Sequence, residues 1–188
     1  MKIQRFMIFP AAPLAIAAAL LLITTLQSSH ASSSCSKKTH PEFKDHSVAE
    51  TFTGEVHPAI LKTHIEKNHR TVIREALERG VNFAGQYVLV FWGCGAGCKQ
   101  FVIVDAKTGA VYDPPFAEVY YHFPPANSNF DWWCYSDLLT FYKDSRLLVI
   151  EGCLRGKQCG RTYFAWEDGL KQLTYDPDLL PDGTVAPF

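Results

Sequence analysis

The chain lacks the short motifs that mark common enzyme classes. It has no G-x-S-x-G nucleophile elbow, Walker loop, H-E-x-x-H pair or G-x-G-x-x-G fingerprint. No cofactor is expected from such a sequence. An excess of basic charge is also missing. The 18 Lys and Arg face 19 Asp and Glu, for a formal net charge of −1. That argues against a nucleic-acid binder, which usually carries a basic surplus. No internal repeat is evident. The one long apolar run lies at the N-terminus.

That run has the three parts of a secretory signal. Lys2 and Arg5 form a basic start, Phe6 to Ser29 carries no charge, and Ser29-His30-Ala31 ends in small residues suited to a signal peptidase. A retained anchor would need about 20 unbroken apolar residues. Pro10 and Pro13 interrupt the early half, and Gln27-Ser28-Ser29 closes the stretch. Ser32-Ser33-Ser34 before Cys35 lacks the aliphatic residue of a lipoprotein site. The expected organisation is a signal peptide over 1–31, an extended lead-in over 32–54 and a single globular domain over 55–188. The working protein is then periplasmic or secreted, with no stable membrane anchor after cleavage. Loss of Lys2 and Arg5 leaves it more acidic.

All six cysteines lie beyond the cleavage point: Cys35, Cys94, Cys98, Cys134, Cys153 and Cys159. An even count in an exported chain reads as a disulfide framework. The local pairs Cys94–Cys98 and Cys153–Cys159 are geometrically simple, which leaves Cys35 with Cys134. Trp92-Gly93-Cys94-Gly95-Ala96-Gly97-Cys98 is a glycine-rich loop able to turn sharply and bring two sulfurs together. Its main reading is a structural staple presenting Gly95, Ala96 and Gly97 as exposed backbone. The alternative is a thiol-disulfide oxidoreductase, or another enzyme, using Cys94 and Cys98. Redox pairs usually have two intervening residues and sit at a helix N-terminus. Here there are three, and a strand follows.

Cys153-Leu154-Arg155-Gly156-Lys157-Gln158-Cys159 would close a hairpin tip that presents Arg155 and Lys157. Trp132 and Trp133, within an aromatic-rich stretch, are candidate contact residues or core cover. His40, His46, His57, His64 and His69 cluster in sequence, but none forms the i, i+4 pair of a helical zinc motif. No metal site is expected. Asp105, Asp113, Glu118 and Asp131 could supply a carboxylate pair, although Asp105 reads better as a turn residue.

Thr63-His64-Ile65-Glu66 matches a capping box. Ile65, His69, Val72, Ile73, Ala76 and Leu77 then recur at helical spacing up to Gly80, which predicts one amphipathic helix over about His64 to Arg79. Gln86–Trp92, Gln100–Asp105, Ala110–Tyr112, Leu138–Tyr142, Arg146–Glu151, Arg161–Trp166 and Leu170–Tyr175 read as strands separated by tight turns. Val88, Val90, Val102, Val104, Leu139, Leu148 and Ile150 are the expected core. The tail from Asp176 onward reads as a surface loop. The fold class is α+β. It is a disulfide-stapled, curved antiparallel β-meander of about six or seven strands, with the amphipathic helix packed on one face.

Several segments together carry a resemblance. They are Asn82-Phe83-Ala84-Gly85-Gln86-Tyr87, Trp92-Gly93-Cys94-Gly95 with Cys98, Asp105-Ala106-Lys107-Thr108-Gly109-Ala110-Val111-Tyr112, and Asp144-Ser145-Arg146-Leu147-Leu148-Val149-Ile150. The string resembles a family of small exported proteobacterial proteins of unknown function, over roughly Phe83 to Trp166. The layout is also similar to periplasmic lysozyme inhibitors, which fill an enzyme cleft with a disulfide-held loop. Their Cys-Lys-Pro-His-Asp-Cys loop is absent here. Immunity proteins against cell-wall-degrading effectors follow the same logic. The exported family offers no assigned activity. Export, the disulfides, the missing catalytic set and the two rigid loops give the expectation of a non-enzymatic binding or inhibitor protein whose partner is a protein of the periplasm or cell envelope.

Overall fold

The computed structural model describes residues 40–121, 137–154 and 158–177. The described chain opens with a short 3-10 turn, Phe43–His46, and two helices, α1 His64–Asn68 and α2 Arg70–Glu78. Strands β1 Tyr87–Gly95, β2 Cys98–Asp105, β3 Val111–Tyr112, β4 Val119–Tyr120, β5 Leu139–Phe141, β6 Leu147–Leu154, β7 Gln158–Trp166 and β8 Leu170–Pro177 follow. They form one sheet in the order β1-β2-β4-β6-β7-β8, with β3 also on β2 and β5 also on β6. Every pairing is antiparallel. Among the described residues the protein is mostly sheet, with little helix and two disulfides.

The expected hairpins form at their turns. Asp105 caps the Asp105–Gly109 turn by accepting the Lys107 amide at 2.8 Å, as its turn-residue reading requires. Asp168, at φ 53°, and Gly169 join β7 to β8. The strand count exceeds the expected six or seven because of β4, which is only two residues long. A period-two pattern needs more residues than that to show. The sheet is also not a simple meander, since β4 alone links β2 to β6.

The single helix expected over His64 to Arg79 is divided at His69. That residue leaves helical geometry at φ −101°, ψ 16°. Its ring stacks on Trp92 at 4.2 Å between centroids, and its Nδ1 lies 2.9 Å from the Ile65 carbonyl oxygen. The break alters the phase of the apolar stripe. Ile65, placed by its spacing on the apolar stripe of the helix, is 50% exposed, whereas Ile73, Ala76 and Leu77 are buried. The capping box does form. Thr63 Oγ1 accepts the Glu66 amide, and the buried Glu66 carboxylate accepts the Lys62 and Thr63 amides. Gly80, at φ 84°, ends the helical segment.

Alternation along the strands sends side chains to two larger apolar clusters and a small third one of Leu147, Val149 and Tyr163. Val88, Val90, Trp92, Val102 and Val104 gather with Ile73, Ala76 and Leu77. Leu89, Phe101 and Ile103 gather with Phe83, Leu148, Ile150, Phe164 and Trp166. All seven residues expected in the core are buried.

From His40 the lead-in is hydrogen-bonded along the body. Val48 donates to Asp144, Phe52 to Gly85, His57 to Ala106 and Ile60 to Gly109. Gly109 makes this approach possible, because a Cβ there would sit 2.1 Å from the Pro58 carbonyl oxygen. The tail is corrected at its start. Asp176 and Pro177 end β8, paired with Arg161 and Gly160. Proline is tolerated there because β8 is an edge strand. No described helix is long and apolar enough to cross a membrane.

Candidate functional site

Both predicted local disulfides are present, Cys94–Cys98 and Cys153–Cys159. The sheet brings them together in a way their sequence positions do not announce. Cys98 pairs with Tyr120, Tyr120 with Cys153, and Cys153 with Cys159. One lateral row across β2, β4, β6 and β7 therefore carries three of the four described cysteines. The ends of the β1–β2 and β6–β7 hairpins lie on opposite sides of this row, because β1 and β6 run in opposite directions. Gly152 lets β4 seat against β6. A Cβ at that position would lie 2.2 Å from the Tyr120 carbonyl oxygen and 2.6 Å from Leu138 Cδ1.

Gly95 (φ 140°) and Gly97 (φ 67°) shape the tip between Cys94 and Cys98. Gly95 and Ala96 are exposed, and Cys98 is buried. The Gly97 carbonyl accepts the Tyr121 amide at 2.7 Å, which fixes the tip to the strand beside it. Arg155, Lys157, Trp132 and Trp133 lie outside the described residues, as do Cys35 and Cys134.

A polar chain runs beside the first disulfide. Trp92 Nε1 donates to Gln100 at 3.0 Å, Gln100 Nε2 donates to Glu118 at 3.3 Å, and the Tyr120 hydroxyl donates to the other Glu118 oxygen. That last bond raises the Tyr120 phenol above its ordinary pKa. The Glu118 carboxylate and both sulfurs lie within 4.8 Å of one another. A neighbouring carboxylate favours a protonated thiol. Thiol–disulfide exchange needs the thiolate, usually stabilised by a cation or a helix N-terminus. The surroundings of Cys94–Cys98 are those of a staple. With the sulfurs bonded to each other, this trio offers a metal one carboxylate and no thiolate.

On the opposite face of β1 and β2 the surface is aromatic and cationic. Phe91 is 45% exposed and Tyr121 38%. Lys99 Nζ stands 4.7 Å from the Phe91 ring centroid and 5.7 Å from that of Tyr121. Sequence reasoning passed over Phe91 and Lys99, since both read as ordinary strand residues. A β-strand next to a stapled turn, with its bulky aromatic at the exposed end, is the signal that could have found them.

The histidines expected to lack a metal geometry are dispersed. His69 stacks on Trp92, while His40 stacks on Tyr163 at 5.4 Å and reaches Asp176 at 3.8 Å. A second concave region of about 520 Å³ lies between His40–Lys44 and the sheet. On its floor Arg161 and Glu151 pair at 2.6 Å.

No family model, curated protein or solved structure matches the chain.

Proposed function

We propose that this chain is a non-enzymatic binding protein of the periplasm or the secreted space, and that it engages a protein partner of the cell envelope through its stapled hairpin ends. The row Cys98–Tyr120–Cys153–Cys159 carries the reading. It brings the closed ends of two hairpins that run in opposite directions onto one short seam. Loops shaped before binding lose less entropy on association than loops that must be ordered. In the specific form of this proposal the partner is a cell-wall hydrolase or effector and the protein is its inhibitor. Arg155 and Lys157 then address carboxylates in the enzyme cleft. Gly95, Ala96 and Gly97 form the second finger, and Trp132 and Trp133 add apolar contact. The segment His64–Arg79 serves as the amphipathic backing that keeps the sheet in shape.

The test uses immobilised Ser32–Phe188 and detergent-free envelope extract, followed by inhibition assays on the hydrolases retained. Replacing Arg155 and Lys157 together by Ala should weaken a confirmed complex by more than about 2 kcal/mol. Thermal stability should hardly change. Equal affinity would remove this tip from the mechanism and leave the Gly95–Gly97 tip. A chain that retains nothing specific, and whose Cys94–Cys98 pair instead turns over a dithiol substrate, would replace the binding reading with the redox one.

A further inference from the structure

We propose that the open edge of β1, at Phe91 and Gly93, is a docking strip for an extended acidic segment of a partner protein. The inference deepens the binding-protein reading and rests on it.

Strand β1 is an outer strand of the sheet. In an antiparallel pair, alternate residues turn their N–H and C=O toward the same side. Tyr87 and Leu89 turn theirs away from β2, and the chain fills both positions itself. The Tyr87 amide donates to Phe83, and the Tyr87 carbonyl accepts the Asn82 and Phe83 amides. The Asn82 side chain then imitates a strand residue. Its oxygen accepts the Leu89 amide at 2.7 Å, and its nitrogen donates to the Leu89 carbonyl at 3.0 Å. The register stays regular as far as Gly93. The same parity makes Phe91 and Gly93 the next outward-facing residues. Neither has a backbone partner on that side among the described residues. The edge is thus closed for one half and open for the other. Exposed edges are usually blunted by short length, bulges, charge or a covering segment.

Gly93 supplies a second, independent observation. Its φ is not in the left-handed region. A Cβ built on it meets no atom within 4 Å. Neither backbone conformation nor internal packing asks for glycine there. A strand glycine marks either a bulge, and the register does shift between Gly93 and Gly95, or a place where another backbone comes close, and the open space beside Gly93 admits one. Beside it, Phe91 offers an exposed ring, and a groove of about 370 Å³ runs from Phe91 past Val90 and Asn82 to Arg79 and Val72. An added strand would lay side chains alternately on Phe91 and into this groove.

Charge selects the occupant. Lys99, the register partner of Gly93, and Arg79, in the groove, bracket the open edge. Neither has a carboxylate within salt-bridge distance among the described residues. The acids nearby are engaged: Glu78 with Arg74, and Glu118 with Gln100 and Tyr120. Two unpaired cations on a chain of net negative charge are complementary to carboxylates carried by the incoming strand. The same two cations disfavour a second copy, which would bring like charges of its own to the shared edge.

The test pans oxidised Ser32–Phe188 against a random-sequence peptide display library. The selected peptides should alternate apolar and polar residues and carry Asp or Glu. A synthesised lead peptide should lose at least about tenfold in affinity on Gly93→Pro, which removes the outward N–H, and on Lys99→Glu. The lead peptide should also protect the Phe91 and Gly93 amides from hydrogen exchange. Melting curves check that each variant is folded, and Lys99→Glu carries the test if Gly93→Pro is not. The strip is overturned if no peptide is selected, if the winners lack acidic residues, or if they bind both variants unchanged. It is also overturned if the chain alone dimerises with protection at Phe91 and Gly93, since a second copy is then the occupant. Retention of an envelope partner by the Gly93→Pro and Lys99→Glu variants would sink the strip alone and leave the binding reading standing.

Discussion

Two glycine-to-alanine substitutions should move stability in opposite directions, and the sign of each follows from the space around it. At Gly152 the new Cβ would lie 2.2 Å from the Tyr120 carbonyl oxygen, where real Cβ contacts essentially never fall below 3.0 Å. The neighbour is backbone, so no side chain can swing aside. Strand β4 must be pushed away from β6, against the hydrogen bonds that hold Tyr120 to Cys153. Overpacking of this kind costs about 1–3 kcal/mol. Alanine also gains about 0.4–1 kcal/mol by restricting the unfolded chain. The clash wins, and Gly152→Ala should be destabilising by about 1–2 kcal/mol. At Gly93 the Cβ meets nothing and φ is unremarkable. Only the unfolded-state effect remains, so Gly93→Ala should be neutral or stabilising by up to about 1 kcal/mol. Urea unfolding of the oxidised mature chain measures both, with unchanged m-values as the check on two-state behaviour. Equal effects at the two positions would refute the reasoning, because the seam between β4 and β6 would then not be closed by Gly152.

Two further outcomes are expected. Leu148 is fully buried between β5 and β7 partners, so Leu148→Ala should cost about 2–5 kcal/mol in the same unfolding assay, and a change within error would mean its packing is not as described. The Tyr120 phenol, held neutral chiefly by its hydrogen bond to Glu118, should titrate above its ordinary 10.0 when followed by NMR of the labelled ring. Since its folded pKa is raised, any stability from the pair is present below pH 10 and lost as pH climbs through the folded value. Glu118→Gln should bring the titration back down, and an unmoved curve would show that the bond is not made in solution.

What the sequence made legible was local. Cys94–Cys98 and Cys153–Cys159 each close across a few residues, and Asp105, Thr63, Gly80 and Gly169 act within their own turns or caps. The core valines and leucines follow from period-two alternation. What stayed hidden depends on contacts between distant segments. At the helix break His69 stacks on Trp92, a residue more than twenty positions away. Strand β4 is too short to carry a pattern, yet it joins the two halves of the sheet. Asn82 looks like part of a turn and instead completes the edge of β1 through both of its amide groups. The exposure of Phe91 follows from where that completion stops.

The placement of the staples bears on what they are for. A disulfide stabilises mainly in proportion to the loop it closes, so these short loops contribute on the order of 2 kcal/mol each, less than a bridge between the two hairpins would. Had global stability been the selected property, a cysteine in place of Tyr120, the register partner of both Cys98 and Cys153, would have offered a longer-range link. The chain instead closes each hairpin on itself, beside the seam where the two are joined through a two-residue strand. Hairpin ends with so little lateral support fray readily, because backbone hydrogen bonds at a sheet end open to water at low cost. Local staples suppress that fraying without tying one tip to the other. Each tip keeps its own shape while small shifts at the β4 seam remain possible. A surface that must be ordered before it meets a partner, and still adjust to it, is served by this arrangement rather than by a single cross-link.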